Sequence, residues 1–165
     1  MKTLSLVALA GVLALSANAA DTPTQAAAPV LPASAATLTA PFVLKDGAIS
    51  QPETTDAAGG GRAVFTFTVA AAGDYVVAGV VNAPDEDSNS FFLNVDAEPE
   101  DPLMIWDLEV TEGFEERVSN WRGSGESGSD EFSPKSFHLA AGEHKLILRG
   151  REPASLKSVS IRPAG

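Results

Sequence analysis

Residues 137–152 read FHLAAGEHKLILRGRE. Phe137 and Leu139 alternate with polar residues before an Ala-Ala-Gly turn, and His144, Leu146 and Leu148 resume the alternation after it. A period of two is the mark of a strand with one face in a core and the other in water. The stretch predicts a hairpin. It then stops on Gly150-Arg151-Glu152, two adjacent opposite charges that either tie one loop to its neighbour or face a ligand.

The same rhythm recurs on both sides, with strand signals spaced by turns in the manner of an all-β sandwich. RAVFTFTV puts Ala63, Phe65, Phe67 and Val69 on one face. YVVAGVV is a nearly continuous apolar run, as a central strand requires. SFFLNVD, LMIWDLEV, FEERVSNW and SLKSVSIRP follow, and PFVL and GAIS add short strands before them. RGSGESGSDEFSP reads as a long flexible insert. No segment keeps a period of 3.6 for more than two turns, and no internal repeat is present. The expected fold is an antiparallel jelly-roll β-sandwich of about eight to ten strands over residues 41–163, a count typical of the class.

Two segments precede it. MKTLSLVALAGVLALSANAA has a basic Lys2, an apolar run from Leu4 to Leu15 and an Ala17-Asn18-Ala19 site, which predicts a signal peptide over residues 1–19. The run is too short to span a bilayer, which takes about 20 apolar residues. A secreted or periplasmic location is expected. Residues 20–40 are Ala, Pro and Thr with a single charge and no aromatic residue, and predict a disordered leader.

The chain has no cysteine, so its core must hold without disulfides. A formal net charge of −11 argues against nucleic acid and anionic membranes as partners, since both need clustered positive charge. Catalysis finds little support. There is no Gly-x-Ser-x-Gly and no His-Glu-x-x-His. The Gly-rich run at Gly59, Gly60 and Gly61 enters a strand rather than opening a helix. His138 and His144, the only histidines, flank the turn of the expected hairpin and would face each other, either as a metal pair or as solvated positions. Carboxylate pairs, which a glycosidase needs across a cleft, are too abundant to single one out.

Binding is the better reading. Trp106, Phe114 and Trp121 flank turns, where an aromatic face can stack on a sugar ring or else cover the edge of a core. Asp85, Glu86, Asp87 and Asn89 form an oxygen-rich loop that suits either solvent or calcium.

GRAVFTFTVAAAGDYVVAGVVNAPDEDSNSFFLNVD, then IWD, then FHLAAGEHKLILRGREPASLKSVSI together resemble the galactose-binding-like jelly rolls, and more narrowly the carbohydrate-binding modules of the family 6 and family 35 type. The resemblance runs from Gly61 to Arg162. It implies a non-catalytic module that holds a glycan or polysaccharide with loops at one end of the sandwich. The implied ligand-binding residues are the platforms Trp106, Phe114 and Trp121, with Asp87, Asn89, Arg151 and Glu152 as polar partners. The loops around Asp85, Thr111 and Arg151 would share that end. Ser155-Leu156-Lys157 stands where the family has Asn-Leu-Asp, and the family's Glu-x-Glu element is not evident, so no cofactor is expected and calcium stays an open reading. A monomer is expected. The alternative is a structural or adhesive sandwich with protein partners and no sugar site, because one fold hosts many functions.

Overall fold

The computed structural model describes residues 29–126 and 128–165. Twelve strands are present among them: β1 (Val30–Pro32), β2 (Thr37–Thr39), β3 (Val43–Lys45), β4 (Ala48–Ser50), β5 (Arg62–Val69), β6 (Gly73–Asn82), β7 (Ser90–Val95), β8 (Ile105–Asp107), β9 (Glu115–Val118), β10 (Ser136–Leu139), β11 (Gly142–Gly150) and β12 (Ser155–Pro163). They form two sheets in which every pairing is antiparallel. One runs β10-β6-β12-β4-β3, with β1 also on β12 and β9 also on β6; the other runs β2-β5-β11-β7-β8. The fold is the expected jelly-roll sandwich.

Alternation decides what the sheets bury. On β5, Ala63, Phe65, Phe67 and Val69 are buried while Thr66 and Thr68 are exposed. They meet Leu146 and Leu148 of β11 and, across the sandwich, Val77 and Val81 of β6 with Leu156, Val159 and Ile161 of β12. Each of the larger apolar side chains contributes about 1.5–3 kcal/mol on burial, so a cysteine-free domain of this size is self-sufficient.

Three expectations need correction. The sandwich begins at Val30, not at residue 41. Val30–Pro32 pairs with Ser158–Ser160 of β12, and Thr37–Thr39 pairs with Arg62–Val64 of β5. The open edges of β12 and β5 recruit this segment, which buries Ala33 and packs Leu31, Ala36 and Leu38 against the core. The signal peptide and the rest of the leader lie outside the described residues. The strand count exceeds ten for the same reason.

The third correction concerns the opening stretch. β10 and β11 do not pair with each other. β10 pairs with β6 in one sheet, and β11 pairs with β5 and β7 in the other. The chain crosses the lip of the sandwich at Ala140 and Ala141, and Gly142, at φ 136°, takes a conformation that disfavours a side chain. Phe137, Leu139, Leu146 and Leu148 still enter one core, because inward alternation is the same for neighbours in a sheet and for strands facing across it. His138 and His144 consequently do not meet. His138 Nδ1 lies 2.8 Å from Asp74 Oδ1, and His144 Nδ1 lies 2.6 Å from Asp96 Oδ2. Among the described residues no cluster of three potential metal ligands occurs.

Candidate functional site

Antiparallel pairing gathers the loops after β4, β6, β8 and β11 at one end. The register makes this explicit: Ser155 starts opposite Asn82 and Ser50, and Ser90 stands opposite Asp107. The three loops expected to share an end do so, and they are hydrogen-bonded to each other. The Thr111 amide donates to Ala83 O (2.8 Å) and the Thr111 hydroxyl accepts from the Ala83 amide (2.9 Å). The Leu108 amide donates to Asn89 O (2.8 Å), and the Glu152 amide to Ser90 O (3.2 Å).

The Arg151–Glu152 pair lies at the centre of this end. Glu152 is only 9% exposed. Its Oε2 accepts from the Ser90 hydroxyl (2.6 Å) and the Asn89 amide (3.1 Å), while Oε1 takes Arg151 Nη1, which also reaches Ser90 Oγ (2.6 Å). Both polar ends of the pair are spent on the start of β7, so the pair ties one loop to its neighbour. Gly150 before it has its own cause. A Cβ there would fall 1.6 Å from Gln51 Oε1, which accepts from the Gly61 amide (3.0 Å).

A second buried network adjoins the first. Asp107 receives Arg122 in a two-point ion pair, Nε to Oδ2 at 2.7 Å and Nη2 to Oδ1 at 3.0 Å. Asn120 accepts from the Asp107 amide and donates to Asp107 O. The Asp107 hydrogen bonds hold Arg122 above its ordinary pKa against the desolvation that lowers it, with the charges of Asp107, Glu131 and Glu152 adding. This network clips the Gly/Ser insert to β8. Neither it nor Ser90 was legible in the sequence, because a buried polar group is identified by its partners and these are 13 to 62 positions away.

The three aromatics separate. Trp106 is fully buried, its Nε1 donating to Val118 O (3.2 Å) and its ring against Phe91 and over Gly79. It is a core residue, and the expectation of a Trp106 platform is overturned by its zero exposure. Trp121 is half-buried in the insert, which leaves and rejoins the larger sheet beside β6. Its Nε1 donates to Leu93 O (2.8 Å), Phe137 packs edge-on, and Lys135 Nζ lies 4.2 Å from the ring centroid. Phe114 alone of the three stands at the loop end with its ring at the surface, 39% exposed. Asp87 is exposed in its loop, where its amide donates to Asp85 Oδ1 (3.1 Å), and Asn89 is half-buried.

No family model matches the sequence, and no curated protein does. Solved structures do. A family 35 carbohydrate-binding module from Clostridium thermocellum superposes with a TM-score of 0.54 at 12% identity, covering 84% of this chain and 100% of that one. The C-terminal family 6 module of a marine laminarinase from Zobellia galactanivorans gives 0.54 at 10%, covering 82% and 98%. The chain has the fold of a family 6/35 carbohydrate-binding module. A Podospora anserina mannanase that joins a catalytic domain of family 26 to a family 35 module matches at a TM-score of 0.55 and 10% identity, but the chain spans only 28% of its length.

Within this module fold, Phe114 sits beside a groove of about 230 Å³ on the outer face of the larger sheet. Ala78 and Val80 form an apolar floor, Ser158 and Ser160 supply hydroxyls, and the Glu116–Arg162 pair (2.9 Å) stands at its side. Lys157 directly precedes Ser158, and Phe114 comes two residues before Glu116, so the two stand where the loop end meets the groove. Lys157 Nζ lies 4.5 Å from the Phe114 ring centroid. Beside them, the Glu112 amide and the Arg117 guanidinium hold the Glu115 carboxyl below its usual range.

Proposed function

We propose that this protein is an exported, non-catalytic carbohydrate-binding module that takes an extracellular or cell-surface glycan, with Phe114 as the stacking face. The observation that carries the reading is the exposed Phe114 ring at the loop end of a sandwich whose fold is that of such modules. Among the proteins of similar fold, one is a mannan-binding module and others belong to enzymes acting on mannan and β-1,3-galactan. A phenyl face packs the C–H side of a pyranose, and the Ser158 and Ser160 hydroxyls and the Glu116–Arg162 pair offer hydrogen bonds to sugar hydroxyls along the groove. Glu152 and Arg151 support the site by fixing its loops. Such a site binds weakly unless it is repeated.

A second reading has two observations in its favour. Trp106 is in the core and the Arg151–Glu152 pair is internally satisfied, as a structural or adhesive sandwich would have them. A binding screen of the purified protein against neutral mannan, laminarin and β-1,3-galactan oligosaccharides separates the two. The sugar-binding reading expects millimolar to micromolar binding that falls about tenfold or more in Phe114→Ala, the loss of about 1.4 kcal/mol of stacking. No binding by the folded protein would leave the adhesive reading.

A further inference from the structure

Lys157 is placed by an irregularity of the sheet. The pairing of β12 with β6 runs Leu156 to Val81 and then Ser158 to Val80, so Lys157 is the extra residue of a β-bulge. Bulges re-aim a side chain. Here the side chain is exposed and its ammonium is brought over the face of Phe114. The chain carries 22 acidic residues, yet among the described residues Lys157 has no ion pair. The carboxylates nearest to Phe114 in sequence are engaged elsewhere, Glu115 by Arg117 and Glu116 by Arg162. The other cation over a ring, Lys135 on Trp121, differs in kind. That ring is anchored through its N–H and packed at its edge, and so is part of the wall. Phe114 has no such anchor, and the ammonium is what its exposed ring holds.

We propose that Lys157 is a built-in occupant of the Phe114 platform, which a neutral sugar has to displace in order to stack. Lys157 is thereby a residue that sets the affinity of the site. The inference rests on the reading of Phe114 as a sugar platform. A cation over an exposed ring is worth about 0.5–1 kcal/mol, which corresponds to about a two- to fivefold weakening of any ligand that competes for the same face. Because the ligand is uncharged, the net charge of the protein does not enter the comparison.

The test has two arms. In the free protein, NMR of the Lys157 side chain reads the ring directly: its Cε protons lie upfield through the ring current, return to ordinary positions in Phe114→Leu, and move the same way when a neutral mannan, laminarin or β-1,3-galactan oligosaccharide is added. Ordinary shifts in the free protein overturn the inference whatever the sugar does. In the second arm the same oligosaccharides are titrated into wild type, Lys157→Ala and Lys157→Arg. The expected result is about two- to fivefold tighter binding by the alanine variant, with the arginine variant no tighter than wild type. Equal or weaker binding by Lys157→Ala, while Phe114→Ala abolishes binding, overturns the inference and leaves the platform standing. Absence of binding in every variant overturns both.

Discussion

Replacing Glu152 distinguishes a brace from a ligand contact. In Glu152→Ala the Asn89 amide and the Ser90 hydroxyl lose their acceptor, and Arg151 loses its counter-charge. Ser90 is fully buried, so its hydroxyl cannot turn to water. An unsatisfied buried donor costs about 1–3 kcal/mol, and breaking a buried ion pair by removing one partner costs about 3–5 kcal/mol. The Arg151 side chain keeps 26% of its surface in solvent, so its charge rehydrates and the ion-pair loss falls to about 1 kcal/mol, the upper value for a solvated pair. Together these give a destabilisation of about 2–4 kcal/mol. For a domain of this length each kcal/mol is worth about 3–4 °C, so Tm falls by about 6–16 °C. Glu152→Gln keeps one acceptor oxygen and should lose about half as much. Urea unfolding at neutral pH measures both, alongside oligosaccharide binding by the folded variants. A Glu152→Ala protein within about 0.5 kcal/mol of wild type that no longer binds glycan would refute the brace and make Glu152 a ligand contact.

The His144–Asp96 bracket makes stability pH-dependent. Hydrogen bonds to Asp96 and to Ala140 O engage both ring nitrogens and raise the His144 pKa above the ordinary 6.5 against desolvation. For Asp96, desolvation pushes the carboxyl up, but the hydrogen bonds from His144 and the Lys145 amide outweigh it and leave the pKa below 3.8. A raised histidine stabilises fully below pH 6.5 and loses its contribution as pH rises through the folded value; the lowered aspartate stabilises above pH 3.8 and loses its contribution as pH falls through its folded value. The Tm gap between wild type and His144→Gln should therefore be widest at about pH 5–6 and close toward pH 9, and a flat gap would count against the imidazolium. Gly79→Ala tests the position of Trp106, since the new Cβ would fall 2.6 Å from Trp106 Cη2 and 2.8 Å from Leu156 Cδ1. Both are core atoms, so a loss of about 1–3 kcal/mol is expected in thermal unfolding, and an unchanged Tm would mean that the indole is free to move aside.

Much of the strand content was readable locally. Arg62–Val69 and Ser155–Pro163 have the limits that their alternation suggests, and Gly73–Asn82 is central as its apolar run requires. The grouping of the loops around Asp85, Thr111 and Arg151 was implied by the family resemblance, and it agrees with strand direction because β9 and β10 both run antiparallel to β6. What failed did so for a common reason. A hairpin and a crossing between sheets have the same inward pattern, so residues 137–150 could not say that β10 and β11 part company. Val30–Pro32 and Thr37–Thr39 are strands only because β12 and β5 offer open edges. Trp106 and Phe114 looked alike as aromatics near turns, but Gly79 leaves room for the Trp106 indole in the core, while Phe114 precedes β9 in a loop at the surface.

The amino-acid order by itself determined the class of fold and the inward face of each long strand, because period and turn residues are local properties. Which strands became neighbours, which aromatic stayed open, and that Arg151 and Glu152 close on Ser90 rather than on a ligand were decided only by tertiary structure. Those outcomes depend on contacts between residues distant in sequence, 61 and 62 positions apart for Arg151 and Glu152 with Ser90, and burial and hydrogen bonding reward such contacts only after the chain has folded.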